Sequence, residues 1–326
     1  MAARTTFSSL SKMPASLSNK GSAIKKFDVL GLGCATLDEL LFIKEFPHPD
    51  SKTRVLHSQK QGGGLTATAL VAAARLGATC AYAGMLGFDD ISKFVAQNLE
   101  TEGIDISLIP WREAAAAIRS VIVVDQKHAT RNIFFERNGE VGAALDAPSG
   151  AEIASARVLL VDHYGGEGNT RAIQIARKHR IPIVADFERT NVPEFETFFP
   201  LVDHLVLSRG FAAQISGETE PTAILRALWN QYRRVVAVTC GEQGVWTREG
   251  EEVRHFEAFP TEVVDTTGCG DVFHGAYAAT LAWRWPLEAR IRWASAAASL
   301  KARHMGAQAG CPKREELERF LRERGF

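Results

Sequence analysis

Residues 263–277, Val-Val-Asp-Thr-Thr-Gly-Cys-Gly-Asp-Val-Phe-His-Gly-Ala-Tyr, hold the groups best placed to do chemistry. The two β-branched valines predict the end of a strand. A turn of small residues follows, and the apolar, Ala-rich run through Trp285 predicts a helix. Gly268, Cys269 and Gly270 then stand where backbone N–H groups lack an intrahelical partner and the helix dipole is positive, a site for an anion. Asp271 lies in the same first turn. A carboxylate set against an anion site can take a proton beside a phosphate, so the spacing points to phosphoryl transfer. A helix N-terminus also lowers a thiol pKa, but among cradle glycines Cys269 is expected to serve as a small residue.

The elements that must position this turn follow from hydrophobic pattern. Phe27–Gly33 reads as a buried strand, and residues 53–60 as an exposed one leading into Gly62-Gly63-Gly64. A helix is expected from Ala67 to Leu76, stopped by Gly77, then a strand at Cys80–Met85 and a helix near Ile91–Glu102. Ile118–Asp125 and Thr130–Glu136 predict a hairpin that, with residues 39–60, forms a small separate sheet. From residue 157 strands alternate with helices, as in a parallel sheet covered on both faces. Ligands of such sheets bind beyond the carboxyl ends of the strands. Asp38, Gly62–Gly64, Asp186, Gly241 and the 265–271 turn are therefore expected on one rim. Asp38 can hold hydroxyl pairs as an acceptor. The glycine triplet admits a ligand or makes a plain turn, and Val238–Gly244 suits a nucleotide phosphate or an ordinary loop.

Composition narrows the partners. The chain has 326 residues, 46% hydrophobic, with 38 basic and 38 acidic residues, so neither nucleic acid nor an anionic membrane is implied. Residues 1–26 carry five bases and no acid, which leaves 33 basic against 38 acidic residues in the remainder. This segment, 1–26, is expected to be a disordered basic tail; its Ser-rich composition also fits organellar targeting. No apolar run is long enough for a membrane span. The five cysteines form no CxxC pair and suggest neither zinc nor a disulfide framework, so a reducing, cytoplasmic compartment is the default.

Asp265-Thr-Thr-Gly-Cys-Gly-Asp271 resembles the DTxGxGD signature of the ribokinase-like (PfkB) carbohydrate kinases. Gly63-Gly64-Leu-Thr-Ala-Thr68 through Gly77 resembles the family's amino-terminal glycine motif, and residues 293–308 its carboxy-terminal nucleotide segment. The resemblance runs from about Phe27 to Phe320. It implies an α/β fold, a ribokinase-like three-layer sandwich with a mostly parallel central sheet and a small β-sheet lid. The kinase domain would be 27–326, with the lid formed by about 39–60 and 115–138. ATP, Mg²⁺ and in some members K⁺ are the implied cofactors, a sugar the implied substrate, and a homodimer through the lid the implied assembly.

Carried over by motif, Asp271 is the implied general base, with the amides of Gly268, Cys269 and Gly270 as anion hole. Asp38, Gly63, Gly64, Thr68 and Lys52 fall on the sugar side. Thr239, Gly241, Gly244, Ala298 and Gly270 fall on the ATP side. Asp265 and the Gly306 loop correspond to a monovalent-cation site. The departures are specific: Thr68 stands where the family usually has Asn, Leu65 replaces a commonly polar residue, and the NxxE element is missing at Ser208-Arg-Gly-Phe211. Asp186 and Glu188 are candidate replacements near Mg²⁺. Asp50-Ser51-Lys52, Asp186-Phe-Glu188 and Phe273-His-Gly275 lean toward the ketohexokinase and sulfofructose kinase branch. A nucleoside kinase, with Phe134 and Phe135 against a base, and a non-catalytic sugar- or nucleotide-binding regulator are the competing readings.

Overall fold

A computed structural model describes residues 25–128 and 130–326. Most of the tail read over residues 1–26 lies outside the described residues. Lys25 and Lys26 are within them, and Lys25 Nζ is tied at 2.8 Å to the carbonyls of Ala154 and Ala156.

In chain order the strands are β1 (Phe27–Leu32), β2 (Thr36–Ile43), β3 (His57–Gly63), β4 (Cys80–Tyr82), β5 (Ile118–Asp125), β6 (Thr130–Glu136), β7 (Ala156–Asp162), β8 (Ile183–Asp186), β9 (His204–Ser208), β10 (Val235–Thr239), β11 (Val245–Glu249) and β12 (Glu252–Phe256). The helices are α1 (Leu65–Arg75), α2 (Asp90–Thr101), α3 (Gly150–Ala154), α4 (Gly166–Lys178), α5 (Phe195–Phe198), α6 (Arg209–Ser216), α7 (Pro221–Ala227), α8 (Cys269–Ala282), α9 (Leu287–Lys301) and α10 (Arg314–Arg322).

Eight strands form one sheet in the order β12-β11-β10-β9-β8-β7-β1-β4, parallel from β10 to β4 and antiparallel at the β11–β12 edge. Successive side chains of a strand point to opposite faces, and the layers follow from that. Val29, Leu160, Val184 and Val206 pack on one face against α1, α8, α9 and α10. Their neighbours Leu30, Leu159, Ile183 and Leu205 pack on the other against α4 to α7. Each such buried side chain is worth about 1.5–3 kcal/mol, and the result is a three-layer sandwich. The remaining strands form a second sheet, β3-β2-β5-β6, with β2 and β5 parallel. Its own core is small: Leu40, Phe42, Ile122 and Val124, with Met305 packed against them.

Two Ala-rich helices cross where side chains are smallest. A Cβ on Gly275 of α8 would stand 2.0 Å from the Ala69 carbonyl of α1, so only glycine allows this approach. One expectation fails here. Val263 and Val264 form no strand; they are exposed, and the segment is held by the N–H groups of Val264 and Asp265 on the Ala302 carbonyl at 2.8 and 3.1 Å. β-branched residues mark a strand only where a neighbouring strand can pair with them. Among the described residues no helix is long and apolar enough to cross a membrane.

Candidate active site

The N-terminus of α8 is the centre of the site. Gly268 is its N-cap at φ 78°, with no side chain capping the helix. Among the described residues the amides of Gly268, Gly270 and Asp271 carry no hydrogen bond, and a Cβ on Gly270 would meet nothing within 4 Å. Such amides, with the helix dipole behind them, are ready for an anion. Cys269 departs from expectation: its N–H already donates to the Thr266 carbonyl at 3.2 Å. Nor is its thiol activated, because burial pushes its pKa up to about 11.

Asp271 sits half-buried in the first turn. Burial, then the carboxylates of Asp186, Glu188, Asp38 and Asp162, push its pKa well above the usual carboxylate range. The side chain one turn on fastens the helix. His274 Nδ1 lies 2.8 Å from the Gly270 carbonyl and Nε2 2.9 Å from that of Val206 in β9. This contact sets the first turn of α8 beside the carboxyl ends of β8 and β9. Asp186 ends β8, its Oδ2 3.1 Å from His274 Nδ1. With that nitrogen closer to the Gly270 carbonyl, the buried Oδ2 has no hydrogen-bond partner, and burial and Glu188 push the Asp186 pKa well up.

The predicted sugar-side residues come from the second sheet. Asp38 is buried on β2 and accepts from the Thr36 hydroxyl at 2.8 Å. Burial raises its pKa against the opposing bonds from Thr36 and Ser120. A Cβ on Gly63 would sit 2.2 Å from the Asp38 carboxylate, so the glycine is what lets that side chain lie against β3. Gly64, at φ 94°, is the uncapped N-cap of α1. Thr68 faces inward: it is fully buried, its hydroxyl 3.5 Å from Gln308 Nε2. Lys52 stands exposed in the loop between β2 and β3.

Of the residues expected toward the nucleotide, Thr239 ends β10 and Gly241 follows at φ 58°, with open space where a Cβ would be. Gly244 is demanded by the turn itself, since a Cβ would meet the Phe256 carbonyl at 2.0 Å. Ala298 is half-buried on α9 against the core. The carboxyl ends of β8, β9 and β10 thus share a rim, whereas Asp38 and Gly63 reach it from the other sheet. Asp162, which ends β7, is structural: it accepts from Cys34 N, Thr66 Oγ1 and Tyr164 N at 2.7–2.9 Å, and burial raises its pKa to about 6.

The expected monovalent-cation site does not fit the residues present. Asp265 takes Thr267 N and Oγ1 on one oxygen, at 2.9 and 2.7 Å, and the Gly306 N–H on the other at 2.8 Å. Gly306 therefore meets Asp265 through its N–H donor. Burial works against ionisation of Asp265, but the Thr267 bonds, Lys301 and Gly306 outweigh it and hold its pKa below the ordinary value. Lys301 Nζ lies 2.8 Å from the Asp265 carbonyl and 3.8 Å from its carboxylate. Arg131 of β6 reaches the same carboxylate at 3.1 Å. Neither contact was expected from the sequence. Among the described residues no three His, Cys, Asp or Glu are grouped to hold a metal.

An uncapped helix N-terminus carrying a carboxylate, set beyond a parallel sheet, has the parts that phosphoryl transfer uses. Residues 32–314 match the pfkB family of carbohydrate kinases. The chain belongs to that family and is a sugar kinase. It is 27% identical to a ribokinase of Haemophilus influenzae over 89% of this chain and 97% of the relative. A solved Agrobacterium tumefaciens structure provisionally assigned as a ribokinase superposes with a TM-score of 0.81 at 28% identity, covering 90% of this chain and 97% of that one. The Arabidopsis thaliana ribokinase solved with ribose and ATP has a TM-score of 0.79 at 22% identity, covering 90% and 98%, and shares the fold.

Proposed function

We propose that the protein transfers the γ-phosphoryl group of ATP to a hydroxymethyl oxygen of a ketose- or furanose-type sugar. The first turn of α8 carries this reading: free amides on Gly268, Gly270 and Asp271 beside a carboxylate of raised proton affinity. Asp38 holds acceptor hydroxyls where Gly63 admits them. Asp271 takes the proton as the acceptor oxygen attacks, and the three amides receive the charge that develops on the transferring group. Thr239 and Gly241 lie toward the nucleotide phosphates.

Mg²⁺, when bound, would supply positive charge to the phosphate groups. The residues present suit it: Asp186 has a buried oxygen without a donor, and Glu188 is close enough to raise the Asp186 pKa. Asp186 and Glu188 would hold it, and the reluctance of Mg²⁺ to dehydrate means that water and phosphate would complete its shell. The second sheet acts as the lid, excluding water from the transfer. Its strand β6, exposed throughout and bearing Ile133, Phe134 and Phe135, is the face for a second copy.

A coupled ADP-release screen over ketoses, aldoses, their phosphates, sulfo-sugars and nucleosides tests the reading. Turnover with a free ketose or pentose is expected. Turnover with nucleosides alone, or with no acceptor, would sink it.

A further inference from the structure

The place where the resemblance implies a monovalent cation is filled by a side chain of the chain itself. Lys301 ends α9 with its side chain wholly removed from solvent. Its ammonium donates to the Asp265 carbonyl at 2.8 Å and to the His304 carbonyl at 3.2 Å, and lies 3.8 Å from the Asp265 carboxylate. Carbonyl oxygens around one positive charge are the surroundings that replace the water of an alkali cation. A lysine brings the same unit charge as a compact point, with three protons to distribute. Burial lowers the pKa of this ammonium, while Cys269 and Asp265 oppose the loss of its charge.

The position has leverage. Asp265 begins the turn whose next bonds, to Thr267, lead into the Gly268 cap of α8. The opposite wall is the 304–308 loop, where Gly306 donates to Asp265 and Ala307 packs against Gly268. The ammonium thus joins the end of α9, the start of that loop and the root of the anion hole. A buried charge is stable only when paired in this way.

We propose that Lys301 is a tethered cation that fixes the Asp265 turn in place of a bound monovalent ion, and that the enzyme is therefore indifferent to K⁺. It is a positioning residue: it acts on the amides of Gly268, Gly270 and Asp271 through Asp265. Being covalently attached, it is present at every turnover, whatever the salt.

The test uses the full chain in tetramethylammonium, Na⁺, K⁺ and NH₄⁺ chlorides at one ionic strength, with two readouts: turnover, and the thermal unfolding midpoint without substrates. For the natural protein, rates within about twofold and midpoints within about 1 °C across the four salts are expected. Lys301→Ala opens a hole beside the Asp265 and His304 carbonyls and leaves the Asp265 carboxylate to Arg131; its midpoint falls by about 5 °C or more and its rate by at least about tenfold. K⁺ or NH₄⁺ then recovers part of both, and tetramethylammonium, too large for the hole, recovers neither. Lys301→Met fills the space without the charge and is slowed with no recovery by any salt, which separates charge from packing.

Activation of the natural protein by K⁺ beyond about tenfold, a midpoint that climbs with K⁺, or an unimpaired Lys301→Met each overturns the proposal. If Lys301→Ala does not fold, the natural protein and the Met variant decide. The rate readout rests on the kinase reading, but the unfolding readout does not. A chain inactive on every acceptor would strike the proposed function and leave the midpoints to judge Lys301.

Discussion

The Asp265–Asp271 turn and strand β6 are joined by one ion pair, Arg131 to Asp265, yet they are held in opposite ways. The turn is tied from several directions: Thr267, Gly306 and Lys301 on Asp265, Ala302 on the chain before it, and His274 between α8 and β9. Strand β6 is paired along one edge only, to β5, and every one of its residues is exposed. Redundant ties fix the turn, and preorganised donors are what transition-state stabilisation requires. A singly paired strand can shift with little loss, which suits a surface that meets a substrate or a second copy. Substitutions on the turn side should therefore be felt in kcat, and those on the sheet side in KM.

The largest effect is expected at Asp271. Asp271→Asn preserves the shape of the first turn and removes the proton acceptor, so kcat falls by about 10²- to 10⁴-fold. ATP affinity, set by amides that the substitution leaves alone, stays close to normal. Steady-state kinetics with nucleotide titration checks both. A variant that keeps near-normal kcat would show that the turn is only a phosphate cradle.

Asp186→Asn sharpens the same side through pH. With Asp271 as the proposed base, activity requires its ionised form, and the natural enzyme is expected to lose turnover as pH falls through the raised Asp271 pKa. Asp186 is, after burial, the largest cause of that rise. Removing its charge lowers the pKa, and the acid limb of kcat/KM moves to lower pH. The variant should hold more of its plateau activity on the acid side of the profile than the natural enzyme does. A limb that stays put would assign the titration to another group.

How much of this could be seen beforehand depended on the reach of each interaction. The uncapped start of α8 was legible because a helix N-terminus is local: Gly268, Cys269 and Gly270 were read within one turn of Asp271, although the Cys269 N–H is engaged by Thr266. The layers were legible because strand alternation sorts neighbours such as Val29 and Leu30 onto opposite faces. The hairpin at β5 and β6 was legible in its β-branched and aromatic runs. Cys269 shows a local signal outweighed, since its place at a helix start suggests a lowered thiol pKa and burial raises it instead. Lys301 is subtler. A lysine at the end of an Ala-rich helix looks like an ordinary partner for the helix dipole, and no spacing in the sequence reveals that it turns inward to a carbonyl 36 residues away. Arg131 is further still from Asp265 in the chain.

Arg131→Gln probes the one tie between the two regions. The guanidinium is about one-third exposed, so solvent screens the pair and its contribution is under about 1 kcal/mol. Loss of the tie should raise the acceptor KM by about two- to fivefold with kcat nearly unchanged, and added salt should narrow the gap between variant and natural enzyme. A fall in kcat with unchanged KM would place Arg131 with the catalytic turn instead of with the sheet.

The smallest effect belongs to Lys52. It lies exposed in the β2–β3 loop, outside every tie described above. A mobile ammonium in water contributes little to a neutral sugar, because it must surrender hydration for each hydrogen bond it makes. Lys52→Ala should leave kcat and KM for free ketoses and pentoses within about twofold. With a phosphorylated or sulfonated acceptor the outcome would differ, since under the proposed lid closure a charge-assisted contact at the edge of the second sheet would strengthen as water leaves. A KM rise of about tenfold confined to anionic acceptors would make the second sheet a selector of charge, and the comparison between the two regions would then separate reaction from substrate residue by residue.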